Sequence, residues 1–128
     1  MDNAPRKQLE GLTENIKSCE TISKTKHENI LKFYGAWVSR GLGNARGEIN
    51  MGFEFAQNGS LDDYLRQSRR SDPGSRMSTM TSFEILKILF GIANGLSGLH
   101  NINVVHGNLK GENTFFTLNI FIIYFFLS

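Results

Sequence analysis

Residues 104–113 read Val-Val-His-Gly-Asn-Leu-Lys-Gly-Glu-Asn, and this stretch decides how the rest of the chain is interpreted. Two β-branched residues precede a polar cluster that carries an imidazole, two amides, a lysine and a carboxylate. By itself such a stretch is also typical of an ordinary strand and turn. Its position directly after the strongest helical pattern of the chain makes it the first candidate for a functional loop.

That helical pattern begins at residues 81–84, Thr-Ser-Phe-Glu, which fit a capping box. Apolar residues then recur at spacings of four and three, which predicts an amphipathic helix: Ile85, Leu89, Ile92, Leu96 and Leu99. Three glycines in the second half lower the intrinsic stability of the helix but permit close packing against another element: Gly91, Gly95 and Gly98.

A helix and a β-hairpin are predicted in the first half of the chain. Apolar residues at helical spacing predict a helix over residues 6–25: Leu9, Leu12, Ile16 and Cys19. One strand is predicted over residues 30–38, which are rich in apolar and aromatic residues. A second strand with one buried face is predicted where four apolar residues alternate with other residue types: Ile49, Met51, Phe53 and Phe55. We interpret the glycine-rich residues 41–47 as the hairpin connection, in preference to a phosphate-binding loop, because a strand and not a helix follows.

A second capping box at residues 60–63 predicts the start of a short helix, and the polar, turn-rich residues 68–82 predict an exposed loop. The composition suits one small globular domain, with 128 residues, 40% of them apolar. A formal net charge of +2 argues against a nucleic-acid partner. The single cysteine, Cys19, excludes a disulfide framework. The three histidines lack metal-binding spacing and are interpreted as hydrogen-bonding anchors: His27, His100 and His106.

The polar cluster resembles the catalytic loop of protein kinases, H-R-D-L-x-x-x-N, which His106, Leu109 and Asn113 match in order and spacing. Four other stretches are similar to kinase segments, in the same order: residues 27–30 (HENI), 53–56 (FEFA), 58–61 (NGSL) and 91–100 (GIANGLSGLH). The resemblance covers residues 6–116. It implies an α+β fold, an incomplete protein-kinase-like fold with part of the small lobe and the start of the helical large lobe.

Within that resemblance, Asn108 stands at the position of the catalytic Asp. Lys110 stands where Ser/Thr-type kinases have a lysine beside the transferred phosphate, His106 opens the loop, and Asn113 stands at the position of a magnesium ligand. An amide has no titratable carboxylate, so Asn108 cannot act as the general base. We therefore expect a catalytically inactive domain.

The resemblance also implies ATP and magnesium as ligands. Adenine would contact the backbone of Glu54 and Ala56, with Phe53 lining the pocket. The 128 residues contain no glycine-rich phosphate loop, no V-A-I-K lysine and no D-F-G, so we expect nucleotide binding to be weak.

The His-Gly-Asn-Leu-Lys variant is similar to the kinase-homology domain of receptor guanylate cyclases, and Janus-type pseudokinases have a similar His-Gly-Asn. The first half of the chain equally resembles receptor Ser/Thr kinases. We expect a regulatory or binding module in signalling, with protein partners, in the cytoplasm or on the cytoplasmic side of a membrane. The alternatives are a weakly active Ser/Thr-type kinase and a truncated, nonfunctional gene product.

Residues 117–128 are predicted as an apolar tail outside the family pattern. From Thr114 to Ser128 there is no charged residue, and this segment holds five of the ten phenylalanines. It is interpreted as an added core strand with a frayed end, or as a segment that contacts a membrane or copies of itself. The sequence that would cover this segment in complete kinases is lacking here, so we expect an uncovered strand, a poorly soluble full chain and a markedly more soluble chain that ends at Phe116.

Overall fold

The computed structural model describes residues 4–40, 47–70, 80–117 and 120–123 and divides the chain into two compact units. Unit 1 consists of residues 1–26 and 32–54, and unit 2 of residues 27–31 and 55–128. The mixed α+β composition agrees with the prediction. Residues 41–46, in the predicted hairpin connection, and residues 71–79, in the predicted exposed loop, lie outside the described residues.

Unit 1 combines one helix with a two-stranded antiparallel sheet: α1 (Ala4–Ser23), β1 (Phe33–Ser39) and β2 (Glu48–Phe53). Its core contains Cys19 and Ile22 from α1 together with Phe33, whose ring lies 5.1 Å from that of Phe53. The end of the helix is fixed to the start of the sheet, because the Ser23 hydroxyl accepts the Phe33 N–H at 2.8 Å and donates to the Phe33 carbonyl at 3.2 Å.

The second predicted strand is present, but its predicted buried face is not. β2 ends at Phe53, and Phe55, which continues the alternating pattern in the sequence, is 83% exposed. The pairing of β1 with β2 also shifts register between Phe33 and Gly35, which interrupts the alternation of faces. Ile49 is exposed as well, at 38%, and residues 50–53 are all half-buried, so strand periodicity identified the element but the one buried face that it predicts is absent from β2.

Unit 2 contains two helices, one turn of 3-10 helix and a second antiparallel hairpin: α2 (Leu61–Arg70), α3 (Ser82–His100), η1 (Gly111–Asn113), β3 (Thr114–Thr117) and β4 (Ile120–Ile123). Residues 27–31 join this hairpin as a parallel neighbour. Ile123 donates its N–H to the Asn29 carbonyl and accepts the Leu31 N–H, both at 2.9 Å.

Both predicted capping boxes are present. The Thr81 hydroxyl accepts the Glu84 N–H at 3.2 Å, and Glu84 accepts the Thr81 N–H at 2.7 Å. At the start of α2 the Ser60 hydroxyl accepts the Asp63 N–H at 3.1 Å, and the Asp63 carboxylate accepts the Ser60 N–H at 3.4 Å. These reciprocal bonds satisfy backbone donors that have no partner inside the helix, and they set where each helix begins.

The buried face of α3 differs from the stripe that the sequence predicts. Its buried residues are Ile88, Gly91, Gly95 and Leu99, whereas Ile85 and Leu89 of the predicted stripe are 45% and 57% exposed. The glycines explain the difference, because they let the helix backbone approach its neighbours. A Cβ at Gly95 would lie 2.7 Å from the Asn29 carbonyl oxygen.

Several large apolar residues of α3 are exposed: Phe83, Ile85, Leu86, Leu89 and Phe90. Among the described helices, α3 alone has the length and hydropathy that a membrane span requires, a property it shares with core helices of soluble proteins.

The described part of the C-terminal tail belongs to the core of unit 2. Ile122 and Ile123 are 1% and 0% exposed, and β4 pairs with β3 over its four residues. The expectation of an uncovered strand is therefore wrong for these two side chains, because α3 and residues 27–31 lie against β4. Residues 124–128 lie outside the described residues.

Candidate functional site

His106 is an internal anchor of the candidate loop. Its side chain is 3% exposed, and its Nδ1 accepts the backbone N–H of Asn108 at 3.2 Å. The intervening Gly107 has φ +72°, a left-handed conformation that glycine adopts without steric cost. This glycine therefore allows the chain to turn back so that the residue two positions on reaches the imidazole.

Asn113 closes the other end of the same loop. Its side-chain amide donates to the Asn108 carbonyl at 3.0 Å, and its backbone N–H donates to the Lys110 carbonyl at 3.0 Å. The Thr114 hydroxyl donates to the same Lys110 carbonyl at 3.1 Å. Asn108 is thus held through its backbone from both sides, by the imidazole on one side and an amide on the other.

Lys110 and Glu112 form an ion pair within the loop. Their Nζ and Oε2 atoms are 2.8 Å apart, and both side chains are about half exposed or more, at 49% and 63%. The hydrogen bond and the charge of Lys110 hold the pKa of the Glu112 carboxyl below its ordinary value. A carboxylate whose pKa is lowered in this way is a weaker proton acceptor.

The structure therefore brings His106, Asn108 and Asn113 together and leaves Lys110 paired with Glu112. The half-buried Asn108 supplies an amide where proton abstraction needs a carboxylate or an imidazole with a free nitrogen. The arrangement can hold a fixed backbone shape and offer hydrogen bonds. It has no group placed for general-base chemistry at position 108.

The three predicted adenine-contacting residues do not belong to one unit. Phe53 and Glu54 are in unit 1, and Ala56 is in unit 2. Glu54 is engaged with Lys32 twice, donating its N–H to the Lys32 carbonyl at 2.9 Å and accepting the Lys32 N–H on Oε1 at 2.8 Å. One backbone bond and one side-chain bond thus hold Glu54 to Lys32 directly beyond the last β1–β2 pair and give Glu54 a structural role.

The assignment of Asn113 as a magnesium ligand stays a prediction. Magnesium takes six oxygen ligands in near-octahedral geometry, and proteins usually hold it by one or two side chains together with waters and substrate phosphates. Within the described residues there is no group of three or more His, Cys, Asp or Glu side chains that could hold a metal. The carboxylate nearest in sequence, Glu112, is bound to Lys110. Asn113 acts here as a donor that shapes the loop.

The support that α2 gives to this loop was missed by the sequence interpretation. A Cβ at Gly111 would lie 3.5 Å from both Cβ and backbone N of Asp62, so η1 lies directly against the first turn of α2. Asp62 in turn pairs with Arg66 at 2.7 Å. No local pattern carries this contact, because the two residues are far apart in the sequence.

Comparison with known proteins identifies the class. The model of the family described as protein tyrosine and serine/threonine kinase matches residues 3–123. A probable receptor-like protein kinase of Arabidopsis thaliana is 33% identical over 104 residues, which cover 78% of this chain and 27% of the relative. The mitogen-activated protein kinase kinase kinase zak-1 of Caenorhabditis elegans is 32% identical over 108 residues, 81% of this chain and 14% of the relative.

A G-type lectin S-receptor-like serine/threonine-protein kinase of Arabidopsis thaliana is similar to a comparable degree, with 32% identity over 114 residues, 87% of this chain and 12% of the relative. The α+β fold, the loop and these matches define a protein-kinase-like domain. The chain belongs to the protein tyrosine and serine/threonine kinase family. It spans between 12% and 27% of the length of these relatives.

Membership of the family implies ATP and magnesium as its ligands in general. These relatives are receptor-like and Ser/Thr kinases, which supports the resemblance to those subfamilies. They give no support to the resemblance to receptor guanylate cyclases. The family match reaches β4, beyond residue 116 where the motif resemblance ends. The domain boundary at that residue stays a prediction.

Proposed function

We propose that this kinase-like chain acts as a catalytically inactive regulatory or binding module. One observation carries the proposal: Asn108 occupies the position of the catalytic Asp in a loop whose hydrogen bonds to His106 and Asn113 are intact. The loop keeps its shape while the proton acceptor is replaced by an amide. Loss of a general base alone removes roughly 10²–10⁴-fold of rate.

The neighbouring carboxylate is a poor replacement for the missing base. Glu112 is tied to Lys110 at 2.8 Å, and that ion pair lowers the pKa of its carboxyl, which weakens it as a base. The same pairing occupies Lys110, the side chain that would neutralise the transferred phosphate. Both partners would have to separate before either could take part in phosphoryl transfer.

The finer features of the proposal follow from the resemblance. A His-Gly-Asn loop is similar to those of receptor guanylate cyclases and Janus-type pseudokinases, in which kinase-like domains regulate other domains. Protein partners in signalling are therefore proposed, in the cytoplasm or on the cytoplasmic side of a membrane. Nucleotide affinity is proposed to be in the millimolar range, about −4 kcal/mol.

A phosphotransfer assay tests the proposal. The full chain, Asn108→Ala and Asn108→Asp are incubated with γ-labelled ATP, magnesium and generic protein substrates, beside a blank without protein. The unmodified chain and Asn108→Ala should both remain at the level of the blank. Transfer by the unmodified chain that Asn108→Ala abolishes would overturn the proposal in favour of a weakly active Ser/Thr-type kinase.

A further inference from the structure

Helix α3 has a second face, on the side opposite its buried residues. Exposed residues recur there at spacings of three and four, the heptad spacing of a helix–helix seam: Phe83, Leu86, Phe90, Ala93, Ser97 and His100. The first three are 65%, 63% and 70% exposed. The opposite side holds the residues that are buried within unit 2: Ile88, Gly91, Gly95 and Leu99. We call the six exposed residues the α3 seam.

The α3 seam exposes enough apolar surface for an interface. Leu89, which is 57% exposed, widens it beside Leu86 and Phe90. At about 200 Å² for a whole residue of this size, these three residues and Phe83 expose roughly 500 Å². Two such surfaces in contact would bury roughly 1,000 Å², which is the lower limit for a specific protein interface. The area therefore suits a weak and reversible dimer.

Residue size along the α3 seam makes it complementary to a second copy that runs in the opposite direction. The first half of the seam is bulky, and the second half is small or polar from Ala93 onward. In an antiparallel pair of α3 helices each layer joins a bulky residue to a smaller or polar one: Phe90 to Ala93, Leu86 to Ser97, and Phe83 to His100. A parallel pair would place Phe90 on Phe90 and Ala93 on Ala93, which overfills one layer and leaves a void in the other. Size complementarity favours the antiparallel, twofold-symmetric arrangement.

Charge lies at the rim of the α3 seam. The Nζ of Lys87 lies 4.7 Å from the centre of the Phe83 ring, and Glu84 is bonded to Thr81 in the capping box. Within the seam the one ionisable residue, His100, occupies the last position. An apolar centre with a charged rim is the usual anatomy of a protein interface.

A lipid surface is the other apolar environment that α3 could meet, and it fits the seam less well. Helices that lie on membranes are typically rich in Lys and Arg along their polar face, whereas α3 has Lys87 alone. The helix cannot cross a bilayer while Ile88 and Leu99 remain buried in unit 2. Ala93 and Ser97 would add little apolar surface for insertion, but small residues permit the close approach of a second helix.

We propose that the α3 seam is a self-association surface, on which a second copy of this chain docks its own α3 in the antiparallel direction. The proposal goes beyond the proposed function, because it concerns a face that contains no residue of the candidate loop at residues 106–113. It holds whether or not that loop transfers phosphate.

Sedimentation equilibrium of the full chain tests the proposal. Between about 1 and 300 µM the chain should show a reversible equilibrium of monomer and dimer, with a dissociation constant of about 10–100 µM. Leu86→Glu and Leu9→Glu form a matched pair, because both leucines lie on helices and are exposed to a similar degree, at 63% and 58%. Leu86→Glu should weaken dimerisation at least tenfold, since it places a charge inside the seam, whereas Leu9→Glu should dimerise like the parent.

A spin label at the start of α3 tests the direction of pairing. Ser82→Cys carries a nitroxide at an exposed position beside the seam, and double electron–electron resonance measures the distance between the two labels of a dimer. Antiparallel layering separates the two labelled positions by roughly 30 Å along the helices, whereas parallel pairing brings them to about 10 Å. The parent chain, whose Cys19 is 3% exposed, should take up no label under the same treatment.

Circular dichroism checks the fold of each variant. If Leu86→Glu loses helix content, Ala93→Glu takes its place, because it puts a charge opposite Phe90 of the other copy and glutamate is a good helix former. Vesicles of phosphatidylcholine and phosphatidylserine test the lipid alternative by co-sedimentation with the full chain.

Four results would each overturn the proposal. They are a full chain that stays monomeric at about 300 µM, equal dimerisation of the seam variant and Leu9→Glu, a label distance near 10 Å, and vesicle binding by a monomer that the seam variant abolishes. The last result would assign the α3 seam to a lipid surface.

Discussion

The side-chain amide of Asn94 in α3 donates a 2.7 Å hydrogen bond to Oδ1 of Asn29, 65 residues earlier in the chain. Asn29 is only 4% exposed, and its backbone N–H donates to Nδ1 of His27 at 3.1 Å. A buried amide oxygen needs a partner, and α3 supplies it. This contact gives a physical reason for the His-x-Asn pattern: the histidine orders the turn, and the asparagine fastens it to the long helix.

Replacement of Asn94 by alanine should therefore destabilise the protein. The Asn29 oxygen would lose its donor, which costs about 1–3 kcal/mol, and the better helix propensity of alanine would offset only about 0.5 kcal/mol of that. Ser97→Ala, an exposed position on the same helix, is the matched control. Urea unfolding, monitored by circular dichroism, gives the unfolding midpoint of each variant. Equal midpoints for Asn94→Ala and Ser97→Ala would contradict the role assigned to Asn94.

Two Gly→Ala substitutions should change stability in opposite directions. At Gly95 in α3 the new Cβ would lie 2.7 Å from the Asn29 carbonyl oxygen and 3.0 Å from Ile123, so the substitution should destabilise by about 1–3 kcal/mol. At Gly11 in α1 nothing lies within 4 Å, so alanine should stabilise by about 0.5–1 kcal/mol. Thermal melting of the two variants beside the parent checks the signs, and two increases in melting temperature would show that α3 does not pack as closely as described.

Local sequence signals predicted the elements well and the packing poorly. Capping boxes at Ser60 and Thr81 marked the helix starts because a cap is formed by residues three positions apart. The buried face of α3 escaped prediction because hydrophobicity marks large side chains, whereas Gly91 and Gly95 are buried on account of their small size. What covers a helix is decided by distant residues such as Asn29 and Ile123, and helical spacing carries no information about them.

In the candidate site, too, local sequence signals predicted which residues matter but not the contacts that they make. Order and spacing were enough to select His106, Asn108 and Asn113, which the structure joins by two hydrogen bonds. A spacing of two does not predict the ion pair between Lys110 and Glu112, which became visible only in the geometry of the loop. The contact of Gly111 with α2 had no signal in the sequence.

The capping carboxylate Glu84 should titrate below its ordinary value. The Thr81 backbone N–H and then the Thr81 hydroxyl donate to it at 2.7 and 2.9 Å, and these bonds lower the pKa of Glu84 from 4.5. Because the pKa is lowered by folding, this carboxyl contributes stability above about pH 4.5, and the contribution is lost as the pH falls through the lowered pKa.

Thr81→Ala removes the hydroxyl bond and should raise the pKa of Glu84 part of the way towards 4.5. A pH titration followed by carbon-detected nuclear magnetic resonance of the Glu84 side-chain carboxyl measures this pKa directly. Ser82→Ala, at the neighbouring exposed position, should leave the pKa of Glu84 unchanged. A Glu84 pKa at or above 4.5 in the parent protein would show that the capping box is not formed in solution.

Two truncated chains should distinguish the contribution of the buried strand β4 from that of the last five residues of the apolar tail. A chain that ends at Phe116 loses β4, and with it the buried Ile122 and Ile123 and both backbone bonds to residues 29 and 31. Each isoleucine contributes about 2–5 kcal/mol by comparison with isoleucine-to-alanine changes in cores, a large share of the 5–15 kcal/mol that typically separates folded from unfolded domains. That shorter chain should be less stable and less soluble than the full chain, which reverses the expectation from composition alone.

A chain that ends at Ile123 keeps β4 and omits only residues 124–128, five residues without charge. It should fold like the parent and show a larger soluble fraction, because the omitted residues have an aggregation-prone composition. Expression of the three chains, with soluble fraction and urea midpoint measured for each, separates burial from composition. If the chain ending at Phe116 keeps the midpoint of the parent, β4 contributes no stability and the packing of Ile122 and Ile123 described above is wrong.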